Sequence, residues 1–200
     1  EVNGDILGTA EDFVKIEGLQ FQLTNAFSDK VGIAISGQTA GSKIYINNNI
    51  IKGVLSGSGS HTALNLASSN TTFYIYNNLI YNFNINSSSG ILVNNSGGTH
   101  YIYNNSISNC IIGINKPELS TVVAKNNLLN SCTTPASGTF SVGTDYNATN
   151  NASMGYTVTG NGNTHDRVNQ AFIFLDATNK DFHLSSTDTS AKDAGADLSA

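Results

Sequence analysis

The chain has 200 residues, a net charge of −5 and only 12% charged side chains, which bounds it to one domain with a neutral, polar surface. That balance gives no electrostatic basis for nucleic-acid binding or for attraction to an anionic membrane surface. No apolar run of about eighteen residues occurs, so no membrane insertion is expected.

Glu1–Lys15 is mixed and fairly acidic, and is expected to be an N-terminal cap or a partial coil. No signal peptide is present at Glu1, and the start beside a coil leads to the expectation of a mature or excised piece of a longer chain. Gly18–Phe27 (GLQFQLTNAF) is expected to open the repeat, with Leu23, Asn25 and Phe27 in its Ile, Asn and apolar columns.

From Ile44 to Cys132 one phrase is written four times: IYINNNIIKG from Ile44, FYIYNNLIYNF from Phe73, HYIYNNSISNC from His100 and VVAKNNLLNSC from Val122. Aligned on the paired asparagines, Ile46, Ile75, Ile102 and Ala124 share a column, as do Ile51, Ile80, Ile107 and Leu129. Self-similarity at this spacing marks a solenoid whose repeats bury their apolar faces against one another. Apolar and outward residues alternate, so the repeats are strands rather than helices. Identical asparagines suit coils stacked in register about 4.8 Å apart, each amide bonding the next. The ladder is assigned to Asn48, Asn77, Asn104 and Asn126, with Asn49, Asn78, Asn105 and Asn127 following them. The turn-rich segments Ser36–Ser42, Ser56–His61 and Asn94–Thr99 are corner connections of the kind that form binding sites.

The Ile-x-Asn-Asn-x-Ile phrase, followed by strands such as Val31–Ile35, Gly90–Val93 and Ile111–Ile114, resembles the right-handed parallel β-helix of the pectate-lyase-like superfamily. The resemblance runs from about Ile16 to Leu184 and implies an all-β solenoid with an internal Asn ladder. It leaves activity open, because the fold hosts lyases, hydrolases, adhesins and inert fibres. A single domain over 1–200 is expected, with regular coils over 16–146 and irregular coils plus a closing segment over 147–200. After Cys132 the pattern loosens, and Thr139–Tyr146, Tyr156–Thr159, Ala171–Asp176 and Asp181–Leu184 are predicted strands. The Asp-Ala-Gly ending resembles the closing segment of secreted bacterial β-helix proteins, so a secreted or cell-surface location is expected. The stop at Ala200 again reads as a fragment, with flanking domains or self-association as partners.

Cys110 and Cys132 fall in the column of Val54 and Phe83 on adjacent coils. They are read either as stacked free thiols or as a disulfide. Neither has the His or metal-ligand spacing that catalysis needs, and no metal or cofactor is expected.

Between Asp29 and Glu118 the sequence has no Asp or Glu. The central coils therefore lack both the carboxylates that calcium sites usually use and the carboxyl pair of glycoside hydrolysis. This departs from the Asp clusters of the family's pectate lyases and polygalacturonases, and the chain leans away from being an enzyme. One catalytic arrangement survives, a calcium-free polysaccharide lyase using His100, Tyr101, Tyr103 and Lys125. By the period-2 rule the two tyrosines point outward and His100 does not. A further cluster, His165, Asp166 and Arg167, is read as a site or as a loop salt bridge.

The outward columns favour binding. Tyr45, Tyr74 and Tyr101 form one, and Tyr76 and Tyr103 belong to the next. Such a strip suits the apolar faces of sugars, a protein contact, or simply the sheet's own stability. The expected function is an extracellular scaffold binding a polysaccharide or cell-surface glycan, or a partner, along this strip. The alternatives are a lyase or other carbohydrate-active enzyme, and a structural fibre without ligand.

Overall fold

The computed structural model describes residues 7–9, 11–24, 29–54, 56–160 and 162–198. Alternating apolar residues bounded by Gly, Asn and Ser make short strands, and these assemble into three sheets. Leu7–Thr9, Lys30–Ile35, His61–Leu66, Ser89–Val93, Ile112–Asn115, Thr134–Phe140 and Tyr156–Val158 form the first. Lys15–Glu17, Lys43–Asn47, Thr72–Tyr76, Thr99–Tyr103 and Thr121–Lys125 form the second. Gln20–Gln22, Ile50–Lys52, Leu79–Phe83, Ser106–Cys110, Leu128–Asn130 and Ala148–Thr149 form the third. Neighbouring strands within each sheet are parallel and come from successive turns of the chain. Each turn visits all three sheets, which supplies the crossover that parallel pairing requires. The fold is a parallel β-helix with an internal asparagine ladder.

Its core is a set of stacked columns. Ile46, Ile75, Ile102 and Ala124 line the inside of the second sheet, Ile51, Ile80, Ile107 and Leu129 the third, and Ile33, Leu64, Ile91, Ile114 and Ala136 the first. Burying one such Ile or Leu side chain is worth about 1.5–3 kcal/mol. Cys110 and Cys132 continue the buried column of Phe83 as free thiols.

The ladder lies one residue later than the sequence assignment. Asn78 Oδ1 accepts the Asn49 N–H at 3.1 Å and its Nδ2 at 3.0 Å, and the pattern repeats from Asn78 to Asn105, Asn105 to Asn127, and Asn127 to Asn147. Each amide also donates to a strand carbonyl, as Asn105 does to Ile75 at 2.9 Å. Asp166, an acceptor-only carboxylate, ends the series by taking the Asn147 N–H at 2.8 Å. Asn48, Asn77, Asn104 and Asn126 have a different task. Their φ angles of 56°, 56°, 55° and 57° turn the corner between the second and third sheets in the left-handed region, which Asn tolerates better than most residues. Their side chains face outward.

Two other expectations need correction. The first coil is set earlier than expected. Ile16 pairs with Ile46, Gly18 (φ 71°) takes the left-handed corner, and the Leu19 N–H bonds Asn49 Oδ1 at 2.9 Å. Leu23 is buried but follows the third-sheet strand, and Asn25 and Phe27 lie outside the described residues. At the other end, Phe174–Asp176 and Asp181–Leu184 are no solenoid strands; they pair antiparallel. This hairpin folds back on the third sheet, its Phe182 ring 5.7 Å from that of Tyr81.

Candidate functional site

The outer face of the second sheet carries two adjacent columns. One runs Lys15, Tyr45, Tyr74, Tyr101, Val123; the other runs Glu17, Asn47, Tyr76, Tyr103, Lys125. The five tyrosines are half-buried. Tyr45 and Tyr74 stack with ring centroids 4.7 Å apart and planes 8° from parallel; Tyr74 and Tyr101 stack at 5.2 Å and 19°. Strand spacing in a parallel sheet equals the thickness of a ring stack plus a little, so identical aromatics in register fall onto one another. Both faces of Tyr74 are thereby covered. The strip offers ring edges and hydroxyls to solvent rather than the open ring faces that the sequence suggested. Tyr76 has no ring partner, and none of the five hydroxyls is hydrogen-bonded within the described residues.

The same sheet separates the candidate lyase residues. His100 points inward, fully buried in the column of Ile44, Phe73 and Val122, with its ring 5.2 Å from Phe73. Its Nε2 bonds Asn95 Oδ1 at 3.0 Å. Burial, helped by the Lys116 charge, pulls its pKa down to about 4. Tyr101, Tyr103 and Lys125 face outward, so His100 cannot share a substrate with them. Burial, with Tyr101 and Tyr74 nearby, pushes Tyr103 up to about 12, so it stays a protonated donor at neutral pH rather than a base.

The later coils hold pairings that the sequence did not reveal. Asp145 is bridged in register to Lys125. Its carboxylate accepts the His165 ring Nδ1 at 2.7 Å and the His165 N–H at 2.8 Å. Burial raises the Asp145 pKa, but these bonds together with one from the Tyr146 N–H outweigh it and leave it below its ordinary value. The His165 ring stacks on Tyr146 at 4.5 Å. Asp166 instead accepts from the Tyr156 hydroxyl, and Arg167 donates to the Ser190 carbonyl at 2.8 Å. The expected Arg167–Asp166 pair is therefore replaced by two separate roles, closing the ladder and tethering the C-terminal segment. Asp145 and His165 are 20 residues apart, and only the coil period could have joined them.

Beyond the Tyr76/Tyr103 column the chain turns at Asn77 and Asn104, and a groove of about 480 Å³ opens between this corner and the C-terminal hairpin. Asn77 and Asn104 form one wall; Lys180, Asp181, Phe182 and His183 form the other. The Asp181 carboxylate accepts the His183 ring Nδ1 at 2.5 Å, and this bond first of all holds its pKa below the ordinary carboxylate value. His183 lies exposed on the predicted strand Asp181–Leu184, but the groove needs the hairpin's return over the sheet, for which no local signal exists. Among the described residues no group of three or more His, Cys, Asp or Glu side chains is placed to hold a metal ion, and no helix is long and apolar enough to cross a membrane.

Comparison with known proteins gives no match: no family model, no curated protein and no solved structure corresponds to this chain.

Proposed function

We propose that this β-helix is a non-catalytic scaffold that binds a glycan along the outer face of its second sheet. The observation that carries the reading is the set of five tyrosine hydroxyls on three adjacent strands, all without a partner among the described residues. Hydroxyl groups are both donors and acceptors, which matches the hydroxyls of a sugar chain. The carboxylate-free stretch between Asp29 and Glu118 supports binding over hydrolysis. The repeated Ile-x-Asn-Asn phrase supports placing the chain among secreted or cell-surface members of the pectate-lyase-like superfamily. The test keeps the ring stack and removes three of the five hydroxyls. Retention of the triple variant Tyr74→Phe/Tyr101→Phe/Tyr103→Phe on immobilised neutral polysaccharides should fall at least about tenfold below that of the wild type. Equal retention would reduce the strip to a stabiliser of the sheet.

A second reading, a polysaccharide lyase, rests on the Asp145–His165 pair beside Lys125 rather than on His100. A carboxylate-oriented imidazole next to a cation is the right equipment for taking a proton beside a uronate. Loss of product formation in His165→Ala, with binding retained, is the result it requires.

A further inference from the structure

The left-handed asparagines of the corner are alike in backbone and unlike in what their amides do. At the N-terminal end, Asn48 Nδ2 donates to Glu17 Oε1 at 3.2 Å. At the C-terminal end, Asn126 holds main chain: its Nδ2 donates to the Ala196 carbonyl at 2.9 Å and its Oδ1 accepts the Ala196 N–H at 2.8 Å. Both bonds go to one residue's backbone, so the amide grips a polypeptide without reading its side chain. Gly195, one residue earlier, is packed against the same amide, and a Cβ there would come within 3.0 Å of Asn126 Cγ. Between Asn48 and Asn126, Asn77 and Asn104 have amides with no partner within the described residues.

These two amides line the groove beneath the hairpin. Asn104 also borders the smaller hollow in which Asn126 meets Ala194 and Gly195, so the open groove adjoins the place where the row already holds backbone. The far wall belongs to the strand Asp181–Leu184. That strand pairs with Phe174–Asp176 along one edge, and its other edge pairs with no strand among the described residues. An unpaired strand edge offers N–H and C=O groups to an added strand. Half-buried Ile50 and Leu79 lie between the walls, and the charges of Lys180 and Asp181 offset one another. Spacing sets how many amides act at once. The corner repeats about every 4.8 Å, whereas an extended chain presents the same edge about every 6.6 Å. One bound segment therefore pairs with Asn77 or with Asn104, as Ala196 pairs with Asn126 alone, and the strand edge supplies the matching repeat.

We infer that the groove between Asn77, Asn104 and the hairpin strand Asp181–Leu184 binds an extended polypeptide segment of a partner protein by its main chain. The segment carries a glycine followed by a small residue where the corner amide grips it, as Gly195 and Ala196 do at Asn126. A peptide fits both walls, one amide matched to a backbone N–H and C=O, the other an open strand edge. The inference goes beyond the reading of the tyrosine face and does not depend on it. The corner row is not part of the ladder, so it can be altered without opening the core.

The test is calorimetric titration with the end-capped peptide Ala-Lys-Asp-Ala-Gly-Ala-Asp-Leu, the sequence of residues 191–198. Three comparison probes are used: the same peptide N-methylated at the alanine after the glycine, the same peptide with valine in place of the glycine, and cellohexaose. Asn77→Gly/Asn104→Gly removes both amides and keeps the left-handed backbone accessible. The inference predicts that the wild type binds the peptide and that the double variant binds it about tenfold more weakly. The N-methylated and valine peptides should each bind the wild type about tenfold more weakly, a readout that leaves the protein unaltered. No binding of the peptide by the wild type would overturn the inference and leave the sheet reading standing. Equal binding of the N-methylated peptide would overturn main-chain recognition. Loss of binding in Asn126→Gly but not in the double variant would show exchange with the chain's own segment and overturn the groove. Cellohexaose binding that the double variant loses, with the peptide unbound, would overturn the peptide in favour of a sugar.

Discussion

Two asparagines sit side by side in each of four successive coils, and their side chains do opposite things. The second of each pair is buried and hydrogen-bonded on all sides; the first faces out and supplies a backbone angle. Both recur equally well in the sequence, so periodicity alone could not say which was the ladder. The distinguishing signal was present at Gly18 and Leu19, where a glycine stands in the corner column and an apolar residue in the ladder column. The two columns respond differently to substitution. Asn105→Ala leaves the Asn78 N–H without its acceptor and removes one bond each from Asn78 Nδ2 and the Ile75 carbonyl, and should lower unfolding free energy by about 2 kcal/mol in denaturant titration. Asn104→Gly should be nearly neutral, while Asn104→Val should cost about 1–2 kcal/mol through the left-handed backbone. His100 makes a prediction in pH. Its folded pKa is depressed from 6.5 to about 4, so the unfolded chain binds the extra proton between those values. Stability is complete above about pH 6.5 and declines as pH falls towards 4, by roughly 3 kcal/mol at about 1.36 kcal/mol per unit. His100→Phe, which extends the Phe73 column, should remove most of that slope from melting curves recorded between these pH values.

At the scale of elements, the central coils were legible because four copies of one phrase fix the strands and the inward columns together. The ends were not, since each is a single copy under a different constraint. The first coil was read too late because Asn25 imitates the repeat. The final strands were expected, but strand composition does not reveal pairing direction, so their antiparallel hairpin has no sequence signal. Within that segment Asp188 ties the two ends together, its carboxylate accepting N–H bonds from Ile173, Ser190, Ala191 and Lys192. Burial raises its pKa, and the four bonds outweigh burial and leave it below the ordinary value. Stability from this group is present above its unfolded pKa and is lost as pH falls through the lower folded one. Asp188→Ala should free residues 171–198 while leaving the coils folded. Hydrogen exchange is the measurement: loss of protection confined to the closing segment is expected, and loss throughout the ladder would show that the hairpin is integral to the solenoid. The cysteine pair belongs to the same scale. Both thiols are buried, and burial also holds that of Cys110 well above its ordinary pKa, so Cys110 and Cys132 should resist alkylation in the native protein and react on unfolding.

Over the whole molecule, the stacked columns explain both the rigidity and the chemistry. A solenoid repeats whatever faces out at each coil, so one tyrosine becomes a row of hydroxyls and one corner asparagine becomes a row of amides. The tyrosine columns could be read from the sequence, but their ring faces could not, because face-to-face stacking depends on the register of three strands. The amide row was hidden behind the ladder assignment, and the groove beside it depends on the hairpin's return. With His100 sealed in the core and Tyr103 held protonated, the proposed reading gives the outer surface of the central coils a binding role. The most direct test is to pass the wild-type protein over one panel of neutral and acidic polysaccharides, reading retention and the ultraviolet absorbance of unsaturated products together. Retention on neutral glycans with no new absorbance is the predicted result. New absorbance from an acidic polysaccharide, abolished by His165→Ala, would contradict it and make the protein a lyase.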